Sequence, residues 1–290
     1  MRKLAAVPLL LLAIASAEAA PQRVVSFNIC ADQLVLGLAD SSQIAALSPY
    51  AKDPLISVVA EQARRFRALD WSAEGTIALR PDLVMVGPDD RPETRHMLTA
   101  HGVPVVEVGL VTGMDAARKQ IRDVAALLGH AERGEAMVRA LDQASARLAR
   151  VAGGNSRTAL AVERGGYVEG SESLAATLLA QAGLHPPVGA PSGFGGFVSL
   201  EKLLLLRPDI LVIEDPPALA QDQGALFFMN PAVAALYPPQ QRLSLPSKYT
   251  LCGGPALIEA LDYLANVLSP EPAPFENRPL PGSEIWGRRG

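Results

Sequence analysis

Cys30 and Cys252 are the only two cysteines in the chain, and three fates are open to them. In apolar surroundings a free cysteine acts as a small buried hydrophobe, its commonest role. In an oxidising compartment the pair can join as a disulfide. Facing a ligand, the sulfurs can hold a soft metal or its chelate. Each cysteine taken singly reads first as a buried hydrophobe, and the sequence leaves open whether the two meet. As a nucleophile either would need a nearby base or a positive environment. The four histidines offer none: His96 and His101 lie five apart on a polar segment, and His185 precedes Pro186-Pro187 in a loop. There is no Gly-x-Ser-x-Gly, His-Glu-x-x-His or Cys-x-x-Cys, and no glycine loop of the phosphate-cradling kind.

The aromatic residues carry a clearer signal. They make up only 5% of the chain, yet Tyr50, Tyr167, Phe194, Phe197 and Tyr249 all fall just beyond predicted strands. Ligand pockets favour aromatic walls with a few polar groups. Arg91 and Arg164, with Lys248, are the basic residues nearest the same strand ends. Cys30, Tyr50, Arg91, Arg164, Tyr167, Phe194, Phe197, Tyr249 and Cys252 are therefore the candidate ligand-binding residues. Ordinary loop anchoring is the competing reading for each ring, and the metal ligands, if any, are not identified.

The elements that must position these residues come from a repeat. Glu74-Gly75-Thr76-Ile77-Ala78-Leu79-Arg80-Pro81-Asp82, followed by an apolar run to Val86, matches Glu201-Lys202-Leu203-Leu204-Leu205-Leu206-Arg207-Pro208-Asp209, followed by a run to Ile213. Glu, Leu, Arg, Pro and Asp coincide. Each copy reads as a short helix, stopped by proline, then a strand buried on both faces. Strands are also expected at Arg23 to Phe27, Ile44 to Leu47, Val103 to Val108, Arg157 to Val162 and Arg242 to Leu245. Helices are expected at about Asp32 to Leu38 and Ser173 to Ala182. The alternation predicts an α/β fold of two Rossmann-like lobes with mainly parallel sheets, joined by a single long helix. Ligands of open α/β sheets bind beyond the carboxyl ends of the strands. Those ends carry Asn28 to Cys30, Ser48 to Tyr50, Gly87 to Arg91 and Gly109 to Thr112 in the first lobe. In the second they carry Glu163 to Tyr167, Asp215 to Pro217 and Ser247 to Gly253. Tyr50, Tyr167, Phe194 and Tyr249 should line one cleft between the lobes, with Cys30 and Cys252 near it on opposite walls.

Between the lobes, Asp115 to Leu128 and Ala131 to Val151 are periodic at helical spacing, and Gly153-Gly154-Asn155 ends the second run. The expected organisation is a leader at residues 1–19, a first lobe at 20–113, a helical segment at 114–155, a second lobe at 156–269 and a Pro-rich tail at 270–290. The leader combines Arg2 and Lys3, the apolar run Ala5 to Ala15 and the small residues of Ala17-Glu18-Ala19. That is the pattern of a cleaved secretory signal peptide, and its apolar run is too short to span a bilayer. An exported, soluble protein follows. A formal charge of -4 gives no basic footprint for nucleic acid.

Taken together, these features resemble the periplasmic substrate-binding proteins of ABC importers for iron-siderophores, haem and vitamin B12. The resemblance rests on Arg23-Val24-Val25-Ser26 after the leader, on both Leu-Arg-Pro-Asp segments and on His101-Gly102-Val103-Pro104-Val105-Val106. Leu251-Cys252-Gly253-Gly254-Pro255, before the last helix, matches a subset of such proteins. The resemblance implies a monomeric, non-enzymatic protein of the helical-backbone type that binds a metal chelate in a shallow cleft and needs no cofactor of its own. It also implies that one surface glutamate per lobe docks on arginines of a membrane permease dimer. Glu74 and Glu201 stand at the matching places, where they would also act as favourable charges at helix starts. Trp71 precedes the first motif at a spacing unlike that of the tryptophan that packs on corrin in B12 proteins, so that role is not carried over to it. The alternatives are an exported enzyme using Cys30 or Cys252, and a sensor module, which would need a fused membrane segment.

Overall fold

The computed structural model describes residues 19–88, 90–154, 156–214, 227 and 230–269. Most of the expected leader, the Pro-rich tail and the strand-end loop Asp215 to Pro217 lie outside the described residues. Four strands form the first sheet: β1 (Val24–Ser26), β2 (Ile44–Ala46), β3 (Leu83–Val86) and β4 (Val105–Glu107). All pair in parallel, in the order β2-β1-β3-β4. The second sheet contains β5 (Arg157–Val162), β6 (Tyr167–Glu169), β7 (Leu184–His185), β8 (Gly195–Phe197), β9 (Ile210–Ile213) and β10 (Arg242–Ser244). Its path is β10-β9-β5-β6-β8, with β7 beside β5. The helices are α1 (Ile29–Leu38), α2 (Ala60–Ala63), α3 (Ala73–Ala78), α4 (Pro92–Ala100), α5 (Met114–Leu127), α6 (Ala131–Ala152), α7 (Leu174–Gln181), α8 (Leu200–Leu206), α9 (Pro231–Leu236) and α10 (Pro255–Val267).

The duplicated segment folds the same way twice. Ser72 and Ser199 cap α3 and α8, their side chains accepting from the backbone N–H of Gly75 and Lys202. Arg80 and Arg207 then reverse the chain in the left-handed region, at φ 48 and 43. The following prolines bar the ordinary helical conformation to the residue before them. The aspartates of the repeat do equivalent work. The Asp82 carboxylate accepts from the backbone N–H of Gln22 (2.6 Å) and Arg23 (2.8 Å), and so ties the entry of β1 to β3. The Asp209 carboxylate accepts from the N–H of Thr158 at 2.7 Å and from its hydroxyl at 2.8 Å, and so ties β5 to β9. Those two Thr158 hydrogen bonds hold the Asp209 carboxyl below its ordinary range. β3 and β9 are buried at every residue, as strands covered on both faces require.

α6 has 22 residues, about 33 Å of helix, and is the long strut joining the lobes. Its apolar stripe Val138, Leu141, Ala144 and Leu148 is buried, and it packs mainly on α10 and α5. Gly134 lets α5 approach: a Cβ there would lie 2.5 Å from the Ala125 methyl. One hydrophobic cluster runs from Val24, Leu34 and Leu38 through Ile121, Leu141 and Leu148 to Leu178, Leu184 and Val212. The lobes therefore share an apolar spine, and separating them would expose it to water. Beside it, the Thr177 hydroxyl of α7 donates to the Thr112 carbonyl at 3.0 Å.

The second sheet departs from the expected pattern at one edge. β6 pairs antiparallel with both β5 and β8, so part of the Gly193 to Phe197 stretch, where the sequence pattern predicts no strand, is strand. Gly195 has φ 134, and a Cβ there would sit 2.3 Å from the Val168 carbonyl oxygen, so this close pairing admits only glycine. No described helix is long and apolar enough to cross a membrane.

Candidate functional site

The first-lobe wall is built at the ends of β1, β2 and β3. Past β2 the chain turns through a short 3-10 helix, Pro49–Lys52, which presents Tyr50, 46% exposed. The Tyr50 ring lies 5.1 Å from that of Trp71, tilted by 51°. Trp71 itself has φ 62, a conformation that costs a bulky residue about 1–3 kcal/mol and that concentrates at functional sites. Its position is set by the turn around it. The N–H and hydroxyl of Ser72 donate to the Asp70 carboxylate at 3.0 and 2.9 Å, and the Trp71 indole N–H donates to the Phe27 carbonyl at 3.3 Å. Arg91, also left-handed at φ 45, places its guanidinium carbon 4.3 Å from the Trp71 ring centroid, a cation–π contact worth about 0.5–1 kcal/mol at an exposed site.

The second-lobe wall stands at the ends of β5 and β9 and on the β6–β8 edge. Tyr167 and Phe197 meet edge to face, 5.3 Å between ring centroids. The Tyr167 hydroxyl donates to the Phe194 carbonyl at 3.3 Å. Phe194 and Phe197 are 55% and 78% exposed, far more than core rings. One carboxylate oxygen from each of Glu163, Glu169 and Glu214 lies within 4.8 Å of the others, and the Thr250 hydroxyl donates to Glu214 at 2.9 Å. This wall is therefore acidic, with Arg164 exposed beside Glu163. Burial, then the charges of Glu169 and Glu163, push the Tyr167 phenol upward.

Two sequence expectations change here. Cys30 and Cys252 are joined in a disulfide, Cα to Cα 5.1 Å, and no free cysteine remains. They are neither separate buried hydrophobes nor soft ligands, and the rival enzyme has lost its nucleophile. The bond ties the first turn of α1 to the turn preceding α10, next to a cavity of about 20 Å³ lined by Asn28, Pro88, Gln120 and Gly253 among others. Tyr249, expected on the cleft wall, is only 4% exposed. Pro246 and a short 3-10 turn fold it inward, and its ring packs 5.0 Å from Tyr263 of α10. The remaining aromatic candidates fall into two groups, one on each lobe. Tyr50 and Arg91 gather around Trp71, and Phe194 and Phe197 gather around Tyr167; among the described residues no ring contact joins the two groups. A groove of about 480 Å³ runs along β4 and α5, lined by Val106, Leu110, Val124 and Leu127 among others.

Sequence reasoning missed Trp71 as the centre of the first wall. The signal available was Asp70-Trp71-Ser72, in which a helix-capping serine immediately follows one of only two tryptophans. It also missed the carboxylate group at Glu163, Glu169 and Glu214, because β6 was read as loop.

Glu74 and Glu201 are both exposed, each in the first turn of its helix. Backbone and Ser199 hydrogen bonds at the start of α8 hold the Glu201 carboxyl below its ordinary range. Leu205, one turn further along α8, is 79% exposed, so this helix offers a charge and an apolar side chain on one face.

A family model described as "Periplasmic binding protein" matches residues 24–238. No curated protein matches the chain by sequence. Among solved structures, a periplasmic heme binding protein from Pseudomonas aeruginosa is 23% identical with a TM-score of 0.67, the match covering 88% of this chain and 95% of that one. A hydroxamate-transport protein (ABC-type, Fe3+) from Saccharomonospora viridis is 21% identical with a TM-score of 0.66, covering 84% and 92%. The periplasmic vitamin B12 binding protein BtuF of Vibrio cholerae is 15% identical with a TM-score of 0.65, covering 86% and 96%. At these identities the likeness is one of fold.

Proposed function

Because the chain belongs to the periplasmic binding protein family, we propose that it captures a metal chelate between its two lobes and delivers it to an ABC importer. The chelate is of the ferric siderophore, haem or cobalamin class. The observation that carries this reading is the pair of aromatic walls at the strand ends, Tyr50–Trp71–Arg91 on one lobe and Tyr167–Phe197 on the other. Large planar or globular chelates bind through such surfaces with few polar contacts. The names of the structural neighbours, which include heme, hydroxamate and vitamin B12 proteins, support the ligand class. The disulfide is consistent with export to an oxidising compartment. The protein acts as a monomer, its leader removed on export.

The test is a fluorescence titration. The chain has two tryptophans, Trp71 and Trp286, so a Trp286→Phe background leaves Trp71 as sole reporter. Titrated with ferric siderophores, haemin and cyanocobalamin, it should show tight saturable quenching by one class and no turnover. Trp71 cannot be both reporter and variant, so its removal is read by calorimetry: Trp71→Ala should weaken binding roughly tenfold, about 1.4 kcal/mol. Turnover of any panel member, or saturation by none, defeats the proposal.

Delivery has its own test. Glu74 and Glu201 occupy the same place in the two repeats, and an importer dimer would present one basic socket to each. Rim charges of this kind orient docking more than they add affinity, and salt weakens them. The double reversal Glu74→Arg/Glu201→Arg should abolish uptake and leave chelate affinity nearly unchanged. Normal transport by that variant leaves these glutamates as helix-start charges only.

A further inference from the structure

We propose that Asp32 is a positioning residue that, through Ser48, holds the Tyr50 turn and with it the Tyr50–Trp71 wall; the inference rests on reading that wall as part of the ligand cleft. Asp32 lies in the first turn of α1 and is fully buried. A buried carboxyl is normally retained only with a cationic or metal partner. Here the partners are serines: Ser26 at the end of β1 and, with two groups, Ser48. The backbone N–H of Ser48 donates to Asp32 Oδ1 at 3.0 Å, and the Ser48 hydroxyl donates to Oδ2. The capping of α1 itself is done by another side chain, Asn28, whose Oδ1 accepts from the N–H of Cys30 at 2.8 Å, so Asp32 is not needed there.

Ser48 shows the same diversion from its local role. It stands at the N-cap of the 3-10 helix Pro49–Lys52, where a serine ordinarily caps its own helix. It makes no side-chain cap bond. Its hydroxyl is turned to Asp32, 16 residues away in the chain. Both Ser48 groups are buried, so Asp32 is what satisfies them, and two bonds to one carboxylate define the direction in which the chain leaves β2. Two residues later comes Tyr50, against Trp71, which is itself held in the left-handed region. A wall made of one exposed tyrosine and one strained tryptophan needs its entry fixed from beneath, and the Asp32–Ser48 pair supplies that.

The experiment uses the full chain with Trp286→Phe, reads Trp71 emission and its quenching by acrylamide, and needs no ligand. It therefore fails or succeeds independently of whether a chelate is bound. Asp32→Asn keeps an acceptor for the Ser48 N–H and a polar contact to its hydroxyl, and should leave Trp71 unchanged. Asp32→Leu keeps the bulk and loses both acceptors; it should shift the emission to the red and raise quenching roughly twofold as the turn loosens. Ser48→Ala removes only the hydroxyl contact and should shift Trp71 in the same direction by less, which keeps the test decisive where the leucine variant does not fold. Far-UV circular dichroism verifies the fold of each variant. An unchanged Trp71 signal in Ser48→Ala and in any folded Asp32→Leu, or an Asp32→Asn variant as perturbed as the leucine one, overturns the assignment.

Discussion

Replacing Cys30 and Cys252 together by serine lowers the free energy of unfolding by about 5 kcal/mol. The two residues are separated by 222 positions, so the bond removes the entropy of a very long loop from the unfolded chain, and that entropy grows with the logarithm of loop length. The native geometry should not offset the gain, since the Cα atoms are 5.1 Å apart, within the ordinary span of a disulfide. Domains of this kind are stable by only about 5–15 kcal/mol, so the double variant should be close to unfolding at physiological temperature. Guanidinium unfolding of the oxidised protein and of the Cys30→Ser/Cys252→Ser variant measures the difference. A loss below about 1 kcal/mol would mean that the bond constrains little that packing does not already hold. Serine at both positions is required, because a single replacement leaves a reactive thiol.

Stability should also fall as pH rises from about 4 to about 7, contrary to the usual behaviour of carboxylates. Burial pushes the Asp32 carboxyl up from 3.8 to about 7, with hydrogen bonds from Ser48 and Ser26 pulling the other way. Burial likewise raises Glu259 of α10 to about 7; the charge of Lys248 opposes the shift and that of Asp262 adds to it. In that window the folded state retains protons that the unfolded state has released. Stability is then fully present below the unfolded pKa values and is lost as pH climbs to the folded ones. For Asp32 the loss is on the order of 4 kcal/mol across the window. Asp70, Glu135, Glu201 and Asp209 are shifted downward, so they contribute in the opposite sense, through stability lost as pH falls below their unfolded values. All four are exposed to solvent and act weakly. The optimum should accordingly lie near pH 4. Asp32→Asn removes the main titration and keeps the bonds to Ser48, so it should flatten the profile and melt higher than the parent at pH 8. Thermal melts from pH 4 to 8 decide this: a parent whose stability rises across the window, or an asparagine variant with the parental slope, rejects it.

The repeat was legible because its determinants are local. Proline after Leu-Arg stops a helix wherever it stands, and a following run of apolar residues can only be a covered strand, so α3–β3 and α8–β9 were recoverable from residue order. The long linking helix was legible from Ala136 to Leu148 at helical spacing and from the glycines at 153 and 154, and α6 ends at Ala152. The β6–β8 edge was not, because three-residue strands among glycines have too few side chains to show a period of two. Trp71 escaped for a related reason: its orientation follows from a left-handed backbone and the Asp70–Ser72 turn, neither of which a hydrophobic pattern records. Tyr249 was placed by its distance from a strand end, yet the bend at Pro246 and the apolar face of α10 drew it into the core.

By itself, then, the sequence determined the α/β class, the two-fold repetition, the connecting helix and the exposed positions of Glu74 and Glu201, because each follows from periodicity, capping or a chain stop within a dozen residues. Only the tertiary structure decided which distant groups meet: Cys30 with Cys252, Asp32 with Ser48, Tyr50 with Trp71 and Arg91, and the carboxylates of Glu163, Glu169 and Glu214. Local pattern says which face of an element is buried. It does not say what lies against that face, since this depends on the path the whole chain takes to close its core.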